Sequence, residues 1–248
     1  MAPSKFDARL RAARRIAPTV RELVFERSDG QPMTFEPGQW LNVQLPAGHG
    51  NGKPVRPYSI ASAPDSTSRF ELAITRVDGG YASSWLHELE PDSVLSFFGP
   101  LGLFTRTPTF TAPALMIATG TGVTPLRSML RAAIARGSSA PMWLMLGVRH
   151  PEDVLYQDEM SSVLTAHPHV RFEPTLSQPP AAWSGRRGYV QAHVRDLWDA
   201  LRKSAVDRGH VEPHAYVCGR KAMVSAVSDL LRQELRLRSE QLHCERYD

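Results

Sequence analysis

Cysteine is nearly absent from this chain: Cys218 and Cys244 are the only two. Two thiols cannot build a disulfide framework, nor a four-cysteine iron–sulfur cluster held by this chain alone, so any such cluster belongs to a partner. Long apolar runs are missing as well. The stretches around Leu115 and Met142 are well short of the roughly 20 residues that span a bilayer, and the N-terminus carries no apolar signal core. The expectation is a cytoplasmic protein with no membrane span. Charge of one sign is also scarce. The net charge of +4 over 248 residues comes from scattered arginines, which favours anionic ligands or an acidic partner and makes no case for nucleic acid. Arg9, Arg11, Arg14 and Arg15 could belong to a transit peptide, but Asp7 intervenes and Leu10 leads into alternation, so they read as a basic first strand. His87, His150, His167, His169, His210 and His243 stand singly, without ligand spacing, and no metal is predicted.

What is present is organised around Ala114 to Pro125. The run Ala114-Leu115-Met116-Ile117-Ala118-Thr119 is too short for a buried helix and meets Gly120-Thr121-Gly122-Val123-Thr124-Pro125. It therefore reads as a buried strand entering a glycine turn and a helix start. Leu126, Met129, Leu130, Ala133 and Ile134 fall on one face of that helix, Arg127, Arg131 and Arg136 lie off it, and Gly137 stops it. Backbone N–H groups at such a turn face an anion, with Thr121 or Thr124 as cap and Pro125 at the first helical position. The pattern differs from Gly-x-Gly-x-x-Gly because proline holds the last place. Helix-end electrostatics supply only about 0.3 to 1 kcal/mol against the roughly 8 kcal/mol of a micromolar ligand, so other segments must contribute.

The first part of the chain, to about Pro108, carries short strands separated by turns. Val20 to Glu26 and Trp40 to Leu45 alternate, Ala47 to Lys53 is a glycine-rich loop, and the spacing suggests a closed or nearly closed antiparallel barrel. Arg56-Pro57-Tyr58-Ser59 puts a cation and a ring on one side of an extended segment and a hydroxyl on the other; an ordinary edge strand would look the same. Phe70 to Val77 is a strand running into Gly79-Gly80-Tyr81-Ala82-Ser83-Ser84, a second glycine turn into a short helix and a second possible anion site. Ser93 to Phe98 is a strand, Gly99-Pro100-Leu101-Gly102 a turn, and Thr105 to Pro113 a linker.

After Gly137 buried strands alternate with helices, as a parallel sheet requires. Strands are predicted over 142–148, 170–175, 215–218 and 241–245, and helices over 151–164, 190–203 and 221–235. With 114–119 this makes five parallel strands in a doubly wound sheet whose ligands bind at the carboxyl ends, where Gly120, Arg149, Ser177 and Cys218 fall.

Taken in order, Arg-Pro-Tyr-Ser, Gly-Gly-Tyr-Ala-Ser-Ser-Trp-Leu, Gly-Pro-Leu-Gly, Gly-Thr-Gly-Val-Thr-Pro and Cys218-Gly219-Arg220 resemble the ferredoxin–NADP reductase superfamily over nearly the whole chain. The resemblance implies an FAD-binding β-barrel domain at 1–108 and an NAD(P)-binding α/β domain at 109–248. It implies that Arg56 bonds the flavin pyrophosphate, that Tyr58 lies against the isoalloxazine ring, that the Ser59 hydroxyl sits near flavin N5, and that Pro57 belongs to the same cofactor-binding segment. Ile74, Thr75 and Arg76 would line the ribityl chain, and Gly80, Tyr81, Ala82 and Ser83 would hold the pyrophosphate. Gly120, Thr121, Gly122 and Pro125 would shape the NAD(P) pyrophosphate site, with Cys218, Gly219 and Met223 bordering the nicotinamide. For Cys218 a plain core cysteine is the competing reading. Cys244 reads as core.

The tail Cys244-Glu245-Arg246-Tyr247-Asp248 resembles the Glu-x-Tyr ending of plant-type members, which places Glu245 in the catalytic site and Tyr247 over the flavin; Asp248 departs from that ending. For the coenzyme, Arg149 can pair with a 2′-phosphate, but Gln178 follows Ser177 where NADP-dependent members carry arginine. Arg186 and Arg187 either compensate or form a solvated loop. The implied activity is an FAD-dependent reductase passing hydride from NADH or NADPH to flavin N5, then electrons to a ferredoxin-like iron–sulfur or haem partner, from a monomeric protein. A free-flavin or ferric reductase, or a flavin-binding module with an unused nicotinamide site, is the alternative. All of it supposes a flavin and a pyridine ring brought face to face.

Overall fold

Alternation of apolar and charged side chains makes the first strands. In the computed structural model, which describes residues 3–46, 54–107 and 109–247, these are β1 (Ser4–Ala17), β2 (Val20–Arg27), β3 (Trp40–Gln44), β4 (Val55–Ser59), β5 (Arg69–Thr75) and β6 (Val94–Leu101), with one helix, α1 (Tyr81–Glu88), between β5 and β6. They form an antiparallel sheet in the order β4-β3-β6-β1-β2-β5, and a bridge between Ile60 and Leu72 joins its two ends into the expected barrel. Inward side chains Leu10, Leu23, Phe25, Leu41, Phe70, Leu72, Ile74 and Phe97 are buried to within 1% of completeness. Phe25, Phe70 and Phe97 meet at ring distances of 5.1 to 5.6 Å, pairs that add about 0.5 to 1.5 kcal/mol each beyond their area. The basic N-terminal segment is a strand, as expected, and its outward Arg11 and Arg14 pair with Glu26 and Glu22 of β2. Two bulges let this 14-residue strand bend round the barrel.

The second half supplies β7 (Ala114–Thr119), α2 (Val123–Ala135), β8 (Met142–Val148), α3 (Gln157–Ala166), β9 (Val170–Leu176), β10 (Arg186–Arg187), α4 (Val194–Asp207), β11 (His214–Arg220), α5 (Lys221–Asp229) and β12 (Leu242–Tyr247). All six strands are parallel, in the order β10-β9-β8-β7-β11-β12. The chain leaves β7 in one direction through β8 and β9, then returns to lay β11 and β12 on its other side. The order reverses between β7 and β11, where open α/β sheets place ligands. Leu115, Ile117, Met145 and Val217 pack against Val194, Leu197, Trp198, Val224 and Val227 of α4 and α5.

Several sequence expectations need correction. A sixth strand exists, the Arg186–Arg187 pair, too short for periodicity to reveal. Residues 151–164 do not make one helix: a 3-10 turn at Pro151–Asp153 is separated from α3 by Tyr156 at φ 60°. Val190–Ala192 is likewise a 3-10 turn ahead of α4, and 221–235 ends in a π turn at Leu230–Glu234. The 99–102 turn begins later than expected, because β6 runs through Leu101. Pro125 is the third residue of α2, not the first, because the 3-10 turn at Gly120–Gly122 runs directly into the helix, with the Val123 N–H bonded to the Gly120 carbonyl.

By contacts the chain divides into Met1–Pro108 with Arg127–Ala132, and Thr109–Leu126 with Ala133–Asp248. Arg127, expected off the apolar face of its helix, is buried in the first of these units. Its Nη1 donates to the Ala61 carbonyl at 2.9 Å and to the Glu71 carboxylate. No helix among the described residues is long and apolar enough to cross a membrane. The glycine-rich loop at 47–53, Pro108 and Asp248 lie outside the described residues.

Candidate active site

In the barrel, β4 pairs with β3 so that Arg56, Pro57, Tyr58 and Ser59 stand opposite Val43, Asn42, Leu41 and Trp40. Alternation along the strand leaves Pro57 exposed, Arg56 and Tyr58 half-buried and Ser59 buried at 7% exposure. The Tyr58 ring packs against the barrel core, and burial pushes its hydroxyl up to about 12, against a smaller opposing effect of the Arg56 charge. Tyr58 is therefore a neutral aromatic face at any physiological pH. Ile74 is fully buried on β5 and Thr75 half-buried. Arg76 lies one residue past the strand, its side chain exposed and its N–H bonded to the Thr19 carbonyl at 2.7 Å.

The segment from Val77 to Gly80 turns the chain into α1. The Ser83 hydroxyl, matched by resemblance to pyrophosphate binding, is engaged within the turn. It accepts from the Val77 N–H at 3.0 Å and donates to the Gly80 carbonyl at 3.1 Å. What α1 offers a ligand is its backbone: the N–H groups of Tyr81, Ala82 and Ser83 open the helix, and no acidic side chain stands in its first turn. Tyr81 is exposed and Ala82 buried. A dianionic pyrophosphate fits this end, which carries backbone donors and no carboxylate within its first turn.

In the α/β unit, Gly120, Thr121 and Gly122 form a 3-10 turn directly after β7. Its position follows from packing. A Cβ on Gly122 would meet the Cys218 carbonyl oxygen at 2.3 Å, so the turn at the end of β7 lies against the end of β11 at the point where the strand order reverses. Gly219 answers it from the other strand: at φ +146°, a Cβ there would meet Thr119 Oγ1 at 2.4 Å. Thr124 Oγ1 donates to the Thr121 carbonyl at 2.8 Å, one turn back. This close backbone approach leaves a cradle that only glycine permits, which is what a nicotinamide coenzyme's pyrophosphate requires.

Beside the cradle stand Cys218, Glu245 and Tyr247. Parallel pairing puts Glu245 opposite Cys218 and Tyr247 opposite Arg220, so the tail is a paired strand and not a frayed end. Glu245 and Tyr247, two apart, share a face. Cys218 Sγ lies 3.9 Å from Glu245 Oε2, and the Tyr247 side chain is hydrogen-bonded to the same thiol. Burial first, and the Glu245 charge second, push the thiol well above its ordinary range, with the Tyr247 bond opposing. Cys218 is thus held as an uncharged thiol. Met223 closes this corner at 9% exposure. Cys244 is half-buried, with Sγ 3.2 Å from Ser228 Oγ.

The carboxyl ends of β8 and β9 carry Arg149 and Ser177. Backbone bonds lace the two together, Ser177 N–H to Val148 carbonyl at 3.0 Å and Gln178 N–H to Arg149 carbonyl at 3.0 Å. The Arg149 side chain is exposed, with no bond or ion pair among the described residues. Arg186 and Arg187 are not available in the same way. Arg186 pairs with Glu173 and reaches His193 Nδ1 at 3.4 Å, while Arg187 Nη2 donates to the carbonyls of Pro180, Ala181 and Trp183. Sequence reading missed Glu173 and Thr119. Neither carries a local signal, because each acts on a residue brought near only by folding.

Comparison with known proteins agrees with both halves. The family model for the oxidoreductase FAD-binding domain matches residues 7–105, and that for the oxidoreductase NAD-binding domain matches residues 116–229. A Sorangium cellulosum protein named ferredoxin–NADP reductase B is 51% identical over 98% of both chains. The phenol hydroxylase P5 protein of Acinetobacter pittii is 30% identical over 94% of this chain, which spans 62% of that protein's length. The crystal structure of the Amycolatopsis cytochrome P450 reductase GcoB superposes with a TM-score of 0.82 at 28% identity, covering 98% of this chain and 70% of that one. With a flavin-type barrel, a doubly wound coenzyme sheet and these relatives, the chain belongs to the ferredoxin–NADP reductase superfamily and is an FAD-dependent NAD(P)H oxidoreductase.

Proposed function

We propose that this chain is an NADPH-dependent reductase that delivers electrons to a ferredoxin-like iron–sulfur protein, with residues 1–108 as its FAD domain and 109–248 as its coenzyme domain. The observation that carries the reading is the meeting of Gly122 with the Cys218 carbonyl at the reversal point of the sheet, which sets a phosphate cradle beside an uncharged thiol. When bound, the two cofactors supply the redox chemistry, hydride moving from nicotinamide C4 to flavin N5 and electrons leaving afterwards.

The protein supplies position and electrostatics. Gly120, Thr121, Gly122 and Pro125 hold the coenzyme pyrophosphate, and Cys218, Gly219 and Met223 set the nicotinamide's approach. Glu245 and Tyr247 fix the thiol's orientation. Arg56 and the α1 backbone hold the FAD pyrophosphate, Tyr58 lies at the flavin ring, Ile74, Thr75 and Arg76 at the ribityl chain, and the buried Ser59 hydroxyl donates to flavin N5. Arg149, an exposed cation at the carboxyl end of β8, pairs with the 2′-phosphate, and Ser177 beside it helps seat the same group. The name of the Sorangium relative supports both NADPH and ferredoxin.

Anaerobic stopped-flow mixing with NADPH and with NADH, followed at the flavin absorbance band, tests the proposal. NADPH should reduce the flavin faster, and Ser59→Ala should slow that reduction about tenfold, the loss of one hydrogen bond of about 1.4 kcal/mol, with FAD still bound. Flavin that stays oxidised with both coenzymes refutes it. Full turnover on free flavin or ferric iron, with no gain from an added ferredoxin, would replace the acceptor.

A further inference from the structure

The C-terminal end of α1 is gripped by the barrel wall. Arg21, on β2, stands between Arg15 of β1 and Ile74 of β5, each its direct cross-strand partner. Its guanidinium forks onto the last turn of α1: Nη1 donates to the His87 carbonyl and Nη2 to the Leu89 carbonyl, the latter at 2.8 Å. His87 turns its ring back to the wall, Nε2 donating to the Ile74 carbonyl at 2.8 Å. One strand pair, Arg21 and Ile74, therefore holds one helical residue through both its backbone and its side chain.

Two further observations give the grip a purpose. Like charges directly opposite on a sheet are unfavourable, yet Arg15 and Arg21 face each other. Arg21 is drawn off that pairing onto the negative end of a helix. And α1, at eight residues, is far below the roughly 12 to 15 at which an isolated helix becomes even marginal in water, so its direction is set by what holds it. The grip closes the base of the loop over 76–80, which leads from β5 to the first turn of α1.

We infer that Arg21 and His87 are positioning residues for FAD: by pinning the last turn of α1 to the Arg21–Ile74 strand pair, they aim the N–H groups of Tyr81, Ala82 and Ser83 at the flavin pyrophosphate. This rests on the reading above that the start of α1 receives that pyrophosphate. In this role both act through α1 and not on the cofactor directly.

The test is titration of the full-length apoprotein with FAD and with riboflavin, which lacks the pyrophosphate, followed by quenching of flavin fluorescence. Arg21→Gln should weaken FAD about tenfold, the scale of one charge-assisted bond, and leave riboflavin unchanged. Arg21→Lys, with one ammonium for two carbonyls, should fall between and carries the same comparison if the glutamine variant does not fold. His87→Leu should follow Arg21→Gln, whereas His87→Gln, which keeps an N–H for the Ile74 carbonyl, should restore FAD binding. Equal weakening of FAD and riboflavin, or of neither, overturns the inference. Tyr81→Asp separates it from the reading beneath it, since a carboxylate in the first turn must repel pyrophosphate. If Tyr81→Asp leaves FAD affinity intact, both fall; if it weakens FAD and Arg21→Gln does not, the positioning role alone falls.

Discussion

The molecule holds two glycine turns that lead from a strand into a helix, and it supports them differently. The turn at Gly79–Gly80 opens an eight-residue helix with its N-terminal Tyr81 exposed, and that helix is anchored by Leu86 and Leu89 in the barrel core and tied at its far end by Arg21 and His87. The turn at Gly120–Gly122 opens a thirteen-residue helix whose Val123, Leu126, Met129, Leu130 and Ala133 are all within 1% of full burial. Here burial holds the helix, and the turn is positioned by a backbone contact with Cys218. Both helices bury an apolar face, but the short one buries only Ala82, Leu86 and Leu89 in the barrel core and adds directed bonds at its far end, where the long one has its greater area removed from water. The coenzyme cradle should therefore fail abruptly when its backbone contact is spoiled, and the flavin helix by degrees.

Substitutions at the two turn glycines give the largest contrast, and Gly122→Ala beside Gly80→Ala removes the difference in side-chain size. Gly122→Val should slow NADPH-driven flavin reduction by about two orders of magnitude, the scale of a misplacement near 1 Å, while FAD stays bound. Gly80→Ala should be milder, since its Cβ would meet Ser83 Oγ at 2.8 Å and the Val77 carbonyl at 3.0 Å, contacts that a hydroxyl can relieve in part. FAD titration and single-turnover reduction on both variants check this, and equal damage to both functions would erase the distinction. Next in size is Arg149→Gln, expected to raise KM for NADPH about tenfold and leave NADH alone, because only the 2′-phosphate loses a charge-assisted partner. Steady-state kinetics with both coenzymes decide it.

The smallest effect concerns pH and the flavin helix alone. Burial, and then the charges of Arg21, Arg76 and Arg15, outweigh the Ile74 bond and lower the His87 pKa below its ordinary 6.5. In the unfolded chain the imidazole therefore takes up its proton first as pH falls. The stability it contributes is complete above pH 6.5 and declines as pH drops from there toward the folded value. Melting temperatures of the holoprotein between pH 7.5 and 5.5, chosen as about one unit either side of 6.5, should fall less steeply for His87→Gln than for wild type. Parallel slopes would exclude His87 as the source.

Much of the architecture was legible because its signals are local. Alternation marked the barrel strands, apolar runs marked β7 and β8, and glycine followed by a helical pattern marked both turns. The candidate site was legible where a residue's place follows from its own neighbours: Ser59 as the buried alternate of an extended segment, and Gly120, Arg149 and Ser177 as the first residues past parallel strands. Segments that break period within three residues were misread, as at Tyr156 and at the Arg186–Arg187 strand.

Local pattern by itself determined the strands, the turns and which of them open helices, since those depend on side-chain periodicity and backbone freedom over a few residues. Tertiary structure decided which groups work together. Cys218 meets Glu245 through the register of two strands, Arg127 is buried beside Glu71, Arg186 is taken by Glu173, and Arg21 reaches a helix 66 residues away. Each is a pairing across a distance in sequence over which no periodicity persists, so only the folded chain selects the partner.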